Sequence, residues 1–119
     1  MANEISISAG FSASKGGASV AASFSGSLDM AGTEMQAGVQ NIAATTTLID
    51  IGGCDTVEAI LIKNLDAAIS LTIGLDTPIT QVISVIKPGK GVLLTGTPTT
   101  LYAKAASSTV DAFIGVAEA

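Results

Sequence analysis

Apolar and polar residues alternate singly along most of this chain. Ile69, Leu71, Ile73 and Leu75 fall on one side of the alternation, and Ser70, Thr72, Gly74 and Asp76 on the other. Successive side chains of a strand point to opposite faces, so this run predicts a half-buried β-strand. Val110, Ala112, Ile114 and Val116 repeat the pattern near the C-terminus, opposite Asp111, Phe113 and Gly115. Shorter apolar runs cover Thr45 to Ile51, Glu58 to Lys63, Val82 to Ile86, Val92 to Leu94 and Leu101 to Ala105. Turn formers end them: Gly52-Gly53, Asn64 with Asp66, Lys87-Pro88-Gly89, Gly96-Thr97-Pro98 and Ser107-Ser108. One strand every eight to twelve residues, each followed by a turn signal, predicts an all-β sandwich or barrel. About seven strands are expected after Met35, centred near Thr47, Ile60, Leu71, Val85, Leu93, Tyr102 and Phe113. Helical periodicity is nearly absent. Gly32 to Val39 offers one weak turn, and Gly38 and the missing apolar stripe count against more.

The N-terminal segment alternates too, but on a different background. From Ala2 to Gly32 the chain is mostly Ser, Ala and Gly, with thinly spaced anchors at Ile5, Ile7, Phe11, Val20, Phe24, Leu28 and Met30. Ile5, Ile7, Ala9 and Phe11 fall opposite Ser6 and Ser8, and Val20, Ala22, Phe24 and Leu28 fall together. Lys15-Gly16-Gly17 separates the two halves and is expected to bend the chain between two extended stretches. So little apolar surface does not offset the entropy of ordering the segment, so it needs a surface to lie against. Either half suits addition to the edge of a neighbouring sheet. The sequence therefore divides into an extended arm, residues 1–35, and a β-sandwich or jelly-roll-like body, residues 36–119. The expected interface is Ile5, Ile7, Phe11, Val20, Phe24 and Leu28, contacting neighbouring subunits.

Composition sharpens that division. The 119 residues suffice for one domain with an appendage. Charged residues are 13 %, about half the usual share. A surface so poor in charge suits a protein that covers itself with copies or partners, which predicts a homo-oligomer, with a trimer or a local threefold favoured. The net charge of −5 comes from ten acids against five lysines, with no arginine. That argues against nucleic-acid binding, because arginine is the usual reader of guanine and phosphate. The start, Met1-Ala2-Asn3-Glu4, is not basic and no signal-like apolar region follows it, so folding in a cytoplasm is expected. The most apolar stretch, Ala67 to Ile86, contains Asp76 and Pro78 and does not read as a membrane span.

Catalytic chemistry finds few residues to work with. The chain has no His, Arg or Trp. Its serines and threonines lack a base to activate them, and Cys54 has no histidine partner for nucleophilic or zinc chemistry. As the single cysteine it reads as a small hydrophobe. Lys15-Gly16-Gly17 and Gly89-Lys90-Gly91 have neither the spacing nor the helix of a phosphate loop. Asp50, Asp55, Asp66 and Asp76 are the carboxylates worth testing for a hard cation, but at strand ends they read as turn formers. No enzyme activity, cofactor or metal is expected.

Several short motifs occur in a fixed order. Gly38-Val39-Gln40-Asn41-Ile42 is followed by Leu48-Ile49-Asp50-Ile51-Gly52, then by Ile60-Leu61-Ile62-Lys63-Asn64-Leu65-Asp66 and Leu71-Thr72-Ile73-Gly74. Ile86-Lys87-Pro88-Gly89-Lys90-Gly91-Val92-Leu93-Leu94, Leu101-Tyr102-Ala103-Lys104-Ala105 and Thr109-Val110-Asp111 complete the series. In this order, and with its Ser/Ala/Gly leader, the chain resembles a type of short virion protein of tailed bacteriophages. The resemblance implies a β-sandwich present in many copies on a particle, with no active site to carry over. A small acidic sandwich with an arm most resembles the capsid cement or decoration proteins, which bind the major capsid protein or other virion subunits. It implies a virion protein made in the bacterial host cytoplasm. A tail or head-tail connector component is the alternative. A receptor-facing binding module is a further one, although it calls for exposed aromatics and the chain has only Tyr102 and three Phe.

Overall fold

A computed structural model describes residues 5–28, 35–52, 57–95 and 100–118. Met30, Cys54, Asp55 and the Gly96-Thr97-Pro98 turn lie outside the described residues. Every regular element among the described residues is a strand, and all pairings are antiparallel. The chain divides into two compact units, residues 1–31 and residues 32–119.

The first unit is a hairpin of β1 (Ile5–Lys15) and β2 (Ala18–Leu28), eleven residues each and paired without a break. Lys15 pairs with Ala18, so Gly16 and Gly17 form a two-residue turn. Their φ angles of 58° and 86° both lie in the left-handed region. A turn with positive φ at both central residues matches the twist of its strands, and Gly adopts it without strain. Both halves of the arm are strands, as the alternation predicts. Gly16-Gly17 is the bend between the two extended stretches, and it folds the second half back onto the first.

The second unit carries eight strands: β3 (Met35–Ala43), β4 (Thr47–Leu48), β5 (Val57–Asn64), β6 (Leu71–Gly74), β7 (Val82–Ile86), β8 (Gly91–Thr95), β9 (Tyr102–Ala105) and β10 (Thr109–Glu118). One four-stranded sheet has the order β3-β10-β5-β8 and the other β4-β9-β6-β7. The pairing is nested. β3 joins β10, β4 joins β9, β5 joins β8 and β6 joins β7, with β10-β5 and β9-β6 completing the two sheets.

Seven of these strands sit on the seven expected centres. β6 is shorter than the alternation suggests: it ends at Gly74, one residue past a register shift between Ile73 and Gly74. The eighth strand, β3, covers the stretch where the sequence offered only a weak helical turn. Its Gly38 and Gln40 fall in register beside Ile114 and Ala112, so this side of the strand carries few large apolar residues. Among its described side chains only Ile42 is buried. An edge strand held by nine backbone pairings to β10 needs no clear apolar stripe of its own.

Both sheets contribute to one hydrophobic cluster. Ile42, Ile60, Ile62 and Ile114 come from the first sheet, and Leu71, Ile73, Ile86 and Ala103 from the second. The one buried polar residue among those described, Asn64, sits at the end of β5. Its amide nitrogen donates to the carbonyls of Ile69 (2.8 Å) and Ile86 (3.0 Å), and its side-chain oxygen accepts from the Asp66 amide (2.9 Å). Its backbone groups pair with Lys90 and Gly89. Burying a polar group is costly unless its partners are supplied, and here every polar group of Asn64 has one. Asn64 thereby ties β5 to the start of β6, the end of β7 and the β7–β8 turn.

Candidate interaction surface

The hairpin register decides which residues share a face. Directly opposed residues of an antiparallel pair project to the same side. Ile7 opposes Gly26, Ala9 opposes Phe24, Phe11 opposes Ala22 and Ala13 opposes Val20, so these eight lie on one face. The other face carries Ser6, Ser8, Gly10, Ser12 and Ser14 of β1 against Ser27, Ser25, Ser23, Ala21 and Ser19 of β2. One side is thus apolar and the other almost entirely serine. The only charge within residues 5–28 is Lys15, at the turn.

Of the six expected interface residues, the hairpin brings five to one face. Leu28, the sixth, pairs with Ile5 in the backbone register. The five differ in exposure. Ile5 is half-buried and Ile7 is buried, whereas Phe11, Val20 and Phe24 are 62 %, 53 % and 61 % exposed. Two aromatic rings and a valine side by side in water form an apolar patch that calls for a covering layer, and a two-stranded ribbon alone is marginal in water. No family model, curated protein or solved structure matches this chain.

A second apolar surface lies on the outward side of the β3-β10-β5-β8 sheet. Val39 opposes Phe113 and Leu61 opposes Gly115 and Leu93. Val39 is 60 % exposed and Leu61 43 %. Lys63 lies beside Phe113, and the Asn41 amide donates to the Asp111 carboxylate (2.9 Å) next to it. On the other sheet Leu48 pairs with Tyr102, and Val85 stands exposed on the edge strand β7. Alternation alone did not single out these residues as a surface. The signal was present in β5, where Leu61 interrupts the expected polar side, but only the register shows that Leu61, Leu93 and Phe113 adjoin.

The carboxylates act on the backbone. Asp50 accepts from the Gly52 amide (2.8 Å), while the Gln40 side chain pairs with both backbone groups of Asp50. Asp66 accepts from the amides of Ala68 (2.7 Å) and Ile69 (2.8 Å), which hold its pKa below the ordinary 3.8. Asp76 is lowered first by the Thr80 hydroxyl and then by the amides of Gln81 and Thr80. In each case the carboxylate closes a turn at a strand end, as expected of Asp there. Among the described residues no three His, Cys, Asp or Glu side chains gather as a metal site would need. Among the described residues no helix is long and apolar enough to cross a membrane.

Proposed function

We propose that this protein is a non-enzymatic structural subunit of a bacteriophage virion, a cement or decoration protein that bridges shell subunits. The observation that carries this reading is the amphipathic hairpin, a serine-backed ribbon whose exposed Phe11, Val20 and Phe24 have no covering layer of their own. A ribbon of this kind adds reach and a sticky face to a small body, which is what a clamp across a seam requires. The body supports the same reading. We take its two sheets as a β-sandwich, and the nested order β3-β10-β5-β8 against β4-β9-β6-β7 as a jelly roll. Double-sheet jelly rolls recur in capsid domains. The outward face around Val39, Phe113 and Leu61 is assigned to the shell, with Lys63 as its cation. Per copy the apolar contact is modest, but the effect multiplies over a shell of many copies. Copies grouped around a threefold remain the favoured arrangement.

Purified particles test this reading. Mass spectrometry should find the chain in amounts comparable with the major shell subunit, and electron microscopy should place it on the shell exterior. Deletion of residues 2–32 should leave a folded body that occupies the particle poorly. A location confined to the tail or connector would transfer the role there, and absence from particles would overturn it.

A further inference from the structure

We propose that the apolar face of the hairpin docks onto the same face of a second copy of this chain, large side chains of one seating over alanines of the other. The inference rests on the hairpin being the reaching element described above, and it names what that element grips.

The argument begins with a checkerboard. Along the exposed part of the face, each cross-strand pair joins one large and one small residue, and the large one changes strand at every step. Phe24 stands opposite Ala9, Phe11 opposite Ala22 and Val20 opposite Ala13. A depression of about 250 Å³ is lined by Ala9, Gly10, Phe11, Ala22, Ser23 and Phe24, so the alanines floor hollows between the rings. A twofold axis in the interface, parallel to the strands and midway between them, places each residue over its own cross-strand partner in the other copy. Phe11 then sits over Ala22, Phe24 over Ala9 and Val20 over Ala13. Every knob meets a hollow, which is the self-complementarity an isologous contact demands. Over three rows the usual twist between packed sheets shifts this alignment by less than a strand spacing.

Charge permits this contact, and area sets its strength. All ten acids of the chain lie outside residues 5–28, so no carboxylates meet across the contact. Lys15, whose pairing with Ala18 places it at the turn end of the same face, is the one charge there, and its long stem lets the ammonium reach past the turn to water. The face from Ala9 to the turn spans about 23 Å by 10 Å, roughly 230 Å² per copy. That is far below the ~1,200 Å² total of a stable complex in dilute solution. The contact is therefore weak in free protein and persists where neighbouring copies are already held close. It links copies two at a time, whether or not the bodies are grouped in threes.

Sedimentation equilibrium of the full chain, with Cys54→Ser to exclude disulfides, tests the proposal from micromolar to millimolar protein. The expected result is a reversible rise from the 11.7 kDa monomer toward the dimer. Ala22→Phe should weaken association by at least about tenfold, because ring then meets ring across the interface. Within the hairpin the same change sets a second ring directly across from Phe11, and an aromatic cross-strand pair favours the ribbon, so amide spectra of residues 5–28 should stay strand-like. Adding Phe11→Ala to Ala22→Phe exchanges large and small in that row and should restore association to within about threefold of the starting protein. Strict monomers at millimolar concentration, or Ala22→Phe dimerising as the parent does, would overturn the inference. If the chain stays monomeric while Ala22→Phe lowers particle occupancy, the face grips another virion protein; this inference then fails and the assembly role stands. A dimer that never reaches particles gives the reverse.

Discussion

The hairpin and the eight-stranded body are written in the same period-two code, yet the code leads to opposite outcomes. In β10, Val110, Ala112, Ile114 and Val116 are all buried, in one hydrophobic cluster with side chains from both sheets. In β1 and β2, Phe11, Val20 and Phe24 occupy equivalent positions and stay more than half exposed. Apolar periodicity thus marks a face that is to be covered, and leaves open whether the chain itself supplies the cover. In the body a nested set of strand pairs folds the sequence over its own core. In the hairpin the turn at Gly16-Gly17 uses both strands to make a single layer. What remains on that layer, at Phe11, Val20 and Phe24, is exposed apolar surface.

The contrast is easiest to break with side-chain truncation. Ile73→Ala, at a fully buried position, should cost the body about 2–5 kcal/mol, read as a lower denaturant midpoint. Phe24→Ala in the hairpin removes a larger side chain that is already exposed, and should move the body's transition by less than about 0.5 kcal/mol. Equal losses from the two would mean that the hairpin face is as much a core as the body's.

Asn64→Ala comes next. It strips the carbonyls of Ile69 and Ile86 and the amide of Asp66 of their partner, and should cost about 2–4 kcal/mol. Hydrogen exchange should accelerate around residues 65–70 and 86–90 before it does so in β10. A loss confined to a few tenths would show that water replaces the side chain.

Gly74→Ala should cost less, about 1–3 kcal/mol. A Cβ there would lie 2.3 Å from Ile79 Cγ2 and 2.9 Å from the Gln81 carbonyl oxygen, and the backbone contact does not yield to a rotamer change. By contrast a Cβ at Gly10 or Gly26 in the hairpin meets nothing within 4 Å, so alanine at either should be nearly neutral.

The smallest expected effect concerns acid. Asp66 and Asp76 have folded pKa values below the ordinary 3.8. Their contribution is fully present above that value and is lost as pH falls through the lower, folded one. Acid titration of the body should show stability declining below about pH 4, and Asp66→Asn with Asp76→Asn should flatten that slope. The hairpin's described residues contain no carboxylate, so its own strand signal should not follow this titration.

Much of the molecule was legible in the chain. Seven body strands and both arm strands follow from alternation and turn residues, which act over a few neighbours. The faces of the hairpin were legible as well, since Ile7, Phe11, Val20 and Phe24 carry the right parity within each half. β3 was not, because Gln36, Gly38 and Gln40 have no amphipathic signature and the strand exists through its pairing with β10. The Asn41–Asp111 hydrogen bond in that pair spans 70 residues. Asn64 read as an ordinary turn residue, and only the convergence of Ile69, Ile86 and Asp66 makes it a buried hub.

The sequence by itself determined where the chain is extended, where it turns and which side of each strand is apolar, because these depend on local steric and periodic rules. The tertiary structure decided which strands pair and which apolar faces are covered. Those outcomes depend on backbone hydrogen bonds and packing between residues far apart, where any two strands of suitable length can compete. So it is the register of Phe11 against Ala22 and Phe24 against Ala9, set by one two-residue turn, that converts two alternating stretches into a single apolar face.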